Sequence, residues 1–130
     1  MKYLGIDYGT KHIGIALSDP EGRMAFPRMV LDASKDPMGE IEELCREEHV
    51  EKIIFGDSRN FKNAPNPIMK KMTPFAESLA RRTGLPVDFI SEALSSQEAR
   101  RTQGENAMND ASAAAIILQS YLDRANNLSI

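Results

Sequence analysis

The chain has 130 residues, of which 42% are hydrophobic and 27% charged, so its composition is that of a globular domain able to bury a core. A net charge of −3 argues against a generic nucleic-acid-binding protein, and the single cysteine, Cys45, excludes an internal disulfide. We expect one domain over residues 1–130, in a reducing cytoplasmic setting, with no signal peptide, membrane span or zinc-type Cys/His spacing.

The first third of the chain predicts three strands in quick succession. Lys2 to Asp7 and His12 to Ser18 are the first two, and apolar residues alternate with small ones in the second. In the turn between them, Gly9 is free to take a positive φ. Arg23 to Leu31 is the third strand, where Pro27 predicts a sheet edge or a bulge. Three such strands form an antiparallel meander.

Helices and strands then alternate. An acidic helix contains apolar residues at helical spacing from Met38 and ends near His49. A short buried strand, Lys52 to Phe55, follows and is closed by Gly56. Alternation of this kind implies parallel pairing through crossover connections.

The next predicted helix contains two prolines, which bear on where it begins. Pro67 suits the first turn and Gly84 the stop, whereas Pro74 should kink the helix or mark its true start after Thr73. Val87 to Ile90 predicts the fifth strand.

The final segment predicts two helices. Ser95 and Glu98 form a capping-box pattern for a short helix that ends at Gly104, and Asn109 caps a last helix that runs to about Arg124. The order β-β-β-α-β-α-β-α-α predicts a ribonuclease-H-like α/β fold. Its mixed five-stranded sheet combines a three-strand antiparallel meander with two parallel strands and is flanked by helices.

Three acidic residues occupy positions that suit chemistry. Asp7 ends the first strand, Glu92 lies just past the fifth, and Asp110 opens the last helix. Ligand sites of open α/β sheets gather outside the carboxyl ends of the strands. Taken singly, each residue is more often a turn, surface or helix-start carboxylate, and only the trio in this topology favours a site.

A cluster of carboxylates can bind a divalent cation, which offsets the repulsion between their charges. Hard oxygen ligands favour Mg²⁺ or Mn²⁺ over zinc. Two such ions roughly 3.5–4 Å apart can activate water and stabilise the leaving oxygen of a phosphodiester.

Two end motifs resemble those of a known family. They are Gly5-Ile6-Asp7-Tyr8-Gly9-Thr10-Lys11, which continues to Asp19, and the helix from Asp110 to Leu122; Leu85-Pro86-Val87 also matches. The chain resembles the YqgF family of small bacterial nucleases over nearly its whole length. Actin-like ATPases share an Asp-x-Gly-Thr loop, but they need a much longer chain.

The resemblance implies a metal-dependent nuclease associated with 5′-end maturation of 16S ribosomal RNA, or, in an older proposal, with Holliday-junction resolution. Asp7 and Asp110 match the family's acidic positions, and Glu92 matches the centre of an Asp-Glu-Arg motif. Here its neighbours are Ser91 and Ala93.

Two further stretches depart from the family pattern. Gly56-Asp57-Ser58 replaces the usual Gly-x-Pro, and Ser95-Ser96 replaces Thr-Thr. Arg59 or Lys62 could substitute for the missing arginine.

Lys11, Arg59 and Arg100 are the candidate phosphate contacts. Lys11 is equally a solvated hairpin lysine, and Arg100 equally a helix-surface charge. The expected partners are nucleic acid, either pre-16S rRNA or branched DNA, and the ribosomal particle, with the protein a monomer or homodimer. Two alternatives stay open: a dimeric resolvase that cuts branched DNA, and a catalytically weakened protein that only binds RNA or an assembly partner.

Overall fold

A computed structural model describes residues 1–9, 11–57, 67–91 and 107–128. One five-stranded sheet has the strand order β3-β2-β1-β4-β5. The strands are β1 (Tyr3–Tyr8), β2 (His12–Ser18), β3 (Ala25–Asp32), β4 (Lys52–Asp57) and β5 (Val87–Ser91). The helices in these ranges are α1 (Pro37–Glu47), α2 (Pro67–Thr83) and α3 (Ala107–Leu128).

The strand pairing confirms the predicted fold class. β1, β2 and β3 form an antiparallel meander, and β4 and β5 continue the sheet in parallel with β1. Leu4 pairs with Leu17 in β2 and with Ile53 in β4, which fixes the register at the centre. The sheet is therefore mixed, as the ribonuclease-H-like arrangement requires.

The sheet buries a different core on each face because successive side chains of a strand point to opposite sides. One face packs against α1 and α2, and the other packs under α3. The first core contains Ile6, Ile13, Ile15 and Phe55 with Ile41, Leu44, Met72 and Leu79. The second contains Ala16, Ile54 and Ile90 with Ala114, Ile117, Leu118 and Leu122.

The sequence predicts a sheet edge or a bulge at Pro27, and the structure has both there. Its strand, β3, is an edge of the sheet. The register also shifts between Ile15 and Ala16, whose partners are Met29 and Pro27, so one residue of β3 is left over in a bulge. A residue without an amide N–H is tolerated at such a place because no ladder hydrogen bond is lost.

Gly9 and Gly84 are needed for different reasons. Gly84 ends α2 with a φ of 73°, which confirms the predicted stop. Gly9 does not take the positive φ predicted for it. A Cβ at this position would instead lie 2.4 Å from the carbonyl oxygen of His12, so the turn needs glycine for its close backbone approach.

The predicted start of α2 at Pro67 is confirmed, and Pro74 lies inside the helix, so the alternative start after Thr73 is excluded. The predicted start of the last helix is wrong. α3 begins at Ala107, which places Asn109 in the first turn and not at the cap. Ala107 and Met108 are both good helix formers, so the helix extends past the polar residue.

The short helix predicted from Ser95 to Gly104 lies outside the described residues. In the described part of the chain, no helix combines the length and apolar character needed to cross a bilayer.

Candidate active site

The three parallel strands end together at one side of the sheet. Ile6 of β1 pairs with Phe55 of β4, and Asp57 of β4 pairs with Ser91 of β5. The last residues of these strands are therefore neighbours, and we call this side the carboxyl edge, defined by Asp7, Tyr8, Asp57 and Ser91. Ligand sites of open α/β sheets form at this place.

Asp7 is half-buried at the penultimate position of β1. It lies two residues beyond Gly5 and therefore faces the α3 side of the sheet. Its neighbour across the strand pair is Gly14, which carries no side chain. At this pair, β2 therefore places no side chain next to the Asp7 carboxylate.

Helix α3 runs antiparallel to β1. Near the helix C-terminal half, the Tyr121 ring packs on Tyr3 at the start of β1, with centroids 5.9 Å apart. Earlier in the helix, Leu118 and Ala114 lie over Gly5, where a Cβ would be 2.8 Å from Leu118 Cβ and 3.1 Å from the Ala114 carbonyl oxygen. The helix N-terminus therefore points toward the carboxyl edge.

The backbone of Asp110 lies in the first turn of α3, one turn before Ala114. Four helical residues advance ~6 Å, and the two strand residues from Gly5 to Asp7 advance ~6.6 Å in the same direction. The fold therefore brings the backbone positions of Asp7 and Asp110 to the same edge. Glu92 lies outside the described residues and directly follows Ser91, the last residue of β5.

Of the three predicted phosphate contacts, only Lys11 lies in the described part of the chain. It is exposed in the turn between β1 and β2, beside the carboxyl edge, and its carbonyl oxygen accepts a hydrogen bond from Ala33 N at 2.9 Å. Arg59 and Arg100 fall in ranges that are not described.

Sequence reasoning missed two residues at this edge. Tyr8 follows Asp7, its ring packs on Phe75 of α2 with centroids 5.0 Å apart, and burial raises the pKa of its phenol. Like other tyrosine phenols, it is protonated at neutral pH and able to donate a hydrogen bond. Asp57 ends β4 between β1 and β5. A signal existed for Asp57, because it directly follows the apolar run Ile53 to Phe55 and Gly56.

Cys45 is not a nucleophile of this site. It is buried at the end of α1, and it lines a groove with Arg46, His49 and Arg82 beside the amino ends of β4 and β5. Burial raises the pKa of the thiol to about 11, and the charge of Glu42 adds to the effect. A thiol that holds its proton at neutral pH is a poor nucleophile, and it lies at the opposite end of the sheet from Asp7.

The described side chains contain no group of three potential metal ligands. Asp7 supplies the only carboxylate of the predicted trio whose side chain is among them. That donor is a hard oxygen, the type that Mg²⁺ and Mn²⁺ prefer.

The fold is that of RuvC-type ribonuclease-H-like resolvases. RuvC from Thermus thermophilus superposes with a TM-score of 0.65 at 16% identity, covering 98% of this chain and 97% of that one. The fowlpox virus resolvase, solved with Holliday junction DNA, superposes with a TM-score of 0.62 at 14% identity, covering 96% and 99%. Similarity at this level of identity establishes the architecture of the chain.

The sequence comparison then gives the family. The family model described as "RuvX: Holliday junction resolvase" matches residues 1–124, so the chain belongs to the RuvX family, which confirms the resemblance to YqgF. Proteins named "Putative pre-16S rRNA nuclease" from Syntrophomonas wolfei and Nitratidesulfovibrio vulgaris are 38% and 40% identical; each alignment covers 95% of this chain and 94% of the relative. The chain is a nuclease, an enzyme that hydrolyses phosphodiester bonds.

Proposed function

We propose that this nuclease is a metal-dependent endonuclease that matures the 5′ end of pre-16S rRNA in the cytoplasm. Asp7, Glu92 and Asp110 are its catalytic and metal-binding residues. The observation that carries the proposal is the antiparallel packing of α3 on β1 at Gly5, which directs the first turn of the helix toward the end of β1 that holds Asp7. The names of the relatives, putative pre-16S rRNA nucleases, support this substrate.

The donor chemistry fits Mg²⁺ or Mn²⁺. All three proposed ligands are carboxylates, and carboxylates that gather at one edge repel one another unless a cation offsets their charge. When bound, a divalent ion supplies charge stabilisation at the scissile phosphate and activates water. Asp7 is half-buried at the carboxyl edge, and its cross-strand neighbour Gly14 adds no side chain beside the carboxylate.

The proposed phosphate contacts act on the substrate backbone. Lys11, in the exposed hairpin beside Asp7, binds a phosphate oxygen, and Arg59 and Arg100 bind neighbouring phosphates. These contacts offset the net charge of −3, which would otherwise repel a polyanion. The Tyr8 phenol, which is protonated at neutral pH, donates a hydrogen bond to an oxygen of the bound substrate.

Branched DNA is a second candidate substrate, favoured by the description of the family model as a Holliday junction resolvase. A resolvase cuts two strands symmetrically and therefore acts as a two-fold dimer. A third candidate, a protein that binds RNA or the ribosomal particle with weakened catalysis, is favoured by Ser91 and by Ala93, which stand where the family has Asp and Arg around its glutamate.

A side-by-side cleavage assay tests these functions. Purified protein is incubated with a precursor 16S 5′ fragment and with a four-way DNA junction, each with Mg²⁺ and with chelator, while its mass in solution is measured. We expect cleavage of the RNA that requires Mg²⁺. Preferred cleavage of the junction by a dimer would favour the resolvase, and inactivity on both with retained RNA binding would favour the binding protein.

A further inference from the structure

Two apolar side chains are exposed where the edge strand β3 begins, one just before the strand and one within it. Phe26 is 51% exposed and Met24 is 53% exposed. Phe26 pairs in register with Leu17 and alternates with Ala25, which packs on the α3 side. The Phe26 ring therefore lies on the opposite face, where α1 and α2 leave it open to solvent. A large aromatic surface without a covering element is a common mark of a binding surface.

The edge strand β3 is protected against pairing with a strand of another molecule. Pro27 offers no amide N–H, a bulge falls beside it, and Arg23 and Arg28 place charges at either side of Phe26. These are the devices by which proteins prevent edge-to-edge association of sheets. The exposed ring is therefore poorly suited to a continuous sheet with a second copy of the chain.

Both flanking arginines are available to an anion. Arg23 has a side chain 73% exposed and only a long contact of 3.9 Å to Glu21. Arg28 is exposed and makes no ion pair with a described residue. It lies close enough to Glu48 to help lower the pKa of that carboxyl, which is held down mainly by the hydrogen bond and charge of Lys2. The Glu48 carboxylate is bonded to Lys2 at 2.8 Å and so is already engaged.

The backbone that presents Phe26 is fixed from behind. The amide of Gln119 in α3 spans the start of the strand, since its Oε1 accepts from Ala25 N at 2.9 Å and its Nε2 donates to Arg23 O at 2.8 Å. Asp19 accepts from the amides of Arg23 and Met24 at 2.7 and 3.0 Å. A surface held in this way loses little conformational entropy when it binds.

We propose that Phe26, with Arg23 and Arg28, binds single-stranded nucleic acid, the ring stacking on a base and the arginines contacting the adjoining phosphates. Every base has a π-face, so this contact is tolerant of sequence. It serves to hold a single-stranded segment of the substrate outside the active site.

This inference rests on the proposed nuclease function, because the strand bound at Phe26 is the one that is cut at the carboxyl edge. Phe26 is level with Leu4 of β1, three residues before Asp7 and two strands away. That offset is ~14 Å, from ~3.3 Å per residue and ~4.8 Å per strand, or about four stacked nucleotides at ~3.4 Å each. The Phe26 ring and Asp7 lie on opposite faces of the sheet, so a bound strand has to pass around the sheet between them, and the surface would bind it at least about four nucleotides from the scissile bond.

A binding titration in chelator, where no cleavage occurs, tests this inference separately from the nuclease function. The probe is a labelled single-stranded 12-nucleotide RNA at one fixed salt concentration, compared with a fully paired RNA hairpin. We expect Phe26→Ala and Phe26→Leu to weaken single-strand binding about tenfold, and Phe26→Tyr to keep it. We expect Arg28→Ala to weaken binding and to reduce the salt slope by about one.

Two matched variants distinguish stacking from general effects. Met24→Ala removes a similarly exposed apolar side chain without a ring, and Arg81→Ala removes an exposed arginine on α2. Both should bind like the parent protein. Three results would overturn the inference without bearing on cleavage. The Phe26→Ala variant could bind RNA with unchanged affinity, or Met24→Ala could lose as much affinity as Phe26→Ala. Alternatively, Phe26→Ala could change the mass of the protein in solution and leave its RNA affinity unchanged. Absence of cleavage by the parent protein in Mg²⁺, with the expected binding results unchanged, would contradict the proposed function and not this surface.

Discussion

Gly5 of β1 lies directly beneath Leu118 of α3, so close that a Cβ at position 5 would come within 2.8 Å of the Leu118 Cβ. This contact sets the distance between the helix and the sheet. It therefore also sets where the first turn of α3, with Asp110, meets the end of β1.

Gly5→Ala should separate α3 from β1 and reduce both stability and activity. Added bulk in a tight contact costs about 1–3 kcal/mol in the free energy of unfolding. A displacement of about 1 Å at a catalytic group can lower the rate about a hundredfold. Urea denaturation and single-turnover cleavage measure the two effects.

Gly84→Ala is the control for Gly5→Ala. Its Cβ meets no atom within 4 Å, but its φ of 73° strains any other residue. It should therefore lose a similar amount of stability, about 1 kcal/mol, and keep its cleavage rate. Equal activity losses in the two variants would show that stability alone, and not the position of α3, limits the rate.

Asp7→Asn should abolish cleavage and leave the fold intact. The substitution keeps the shape of the half-buried side chain and removes the charge that holds a cation. We expect the single-turnover rate to fall at least about a hundredfold, a loss of about 2.7 kcal/mol of transition-state stabilisation. Thermal unfolding followed by circular dichroism checks the fold.

The control for Asp7→Asn is Glu43→Gln, which neutralises an exposed carboxylate on α1, away from the carboxyl edge. It should cut at the parent rate. The assignment of Asp7 is wrong if the asparagine variant also cleaves at that rate.

Cleavage should require Mg²⁺ or Mn²⁺ and should not be supported by Zn²⁺. The proposed ligands are carboxylate oxygens, and Cys45 is buried at the other end of the sheet. Rates are measured in chelator and after each ion is added back. The same ions should raise the melting temperature of the parent protein more than that of Asp7→Asn. Full activity in chelator would contradict the metal mechanism.

The double substitution Ser91→Asp and Ala93→Arg should raise cleavage more than it raises RNA binding. An arginine beside the site can donate two hydrogen bonds to a phosphate, and it lowers the barrier selectively if the charge develops during cleavage. We expect about a tenfold faster single-turnover rate, which corresponds to roughly 1.4 kcal/mol.

Binding constants at one fixed salt concentration provide the comparison for this variant. Tighter binding without faster cleavage would mean that residues around Glu92 tune affinity only. If both proteins are inert with metal present, the RNA-binding alternative becomes the better interpretation.

The sequence by itself determined the succession of strands along the chain, an edge or a bulge at Pro27, and the place of Asp7 at the end of β1, because side-chain periodicity and proline geometry act over a few residues. It gave the wrong start for α3 because a polar residue at Asn109 is a weak local signal beside good helix formers. The turn at Gly9 was predicted to need glycine for a positive φ. It needs glycine because the carbonyl oxygen of His12 lies too close for a Cβ.

Tertiary structure alone decided the relations between distant residues. The approach of Leu118 to Gly5, the place of Asp57 between β1 and β5, and the exposure of Phe26 all depend on which elements pack together. No local pattern encodes such contacts, since they join residues far apart in the chain. Packing of α3 across the meander therefore settles what the motifs left open: which end of the helix meets the end of β1.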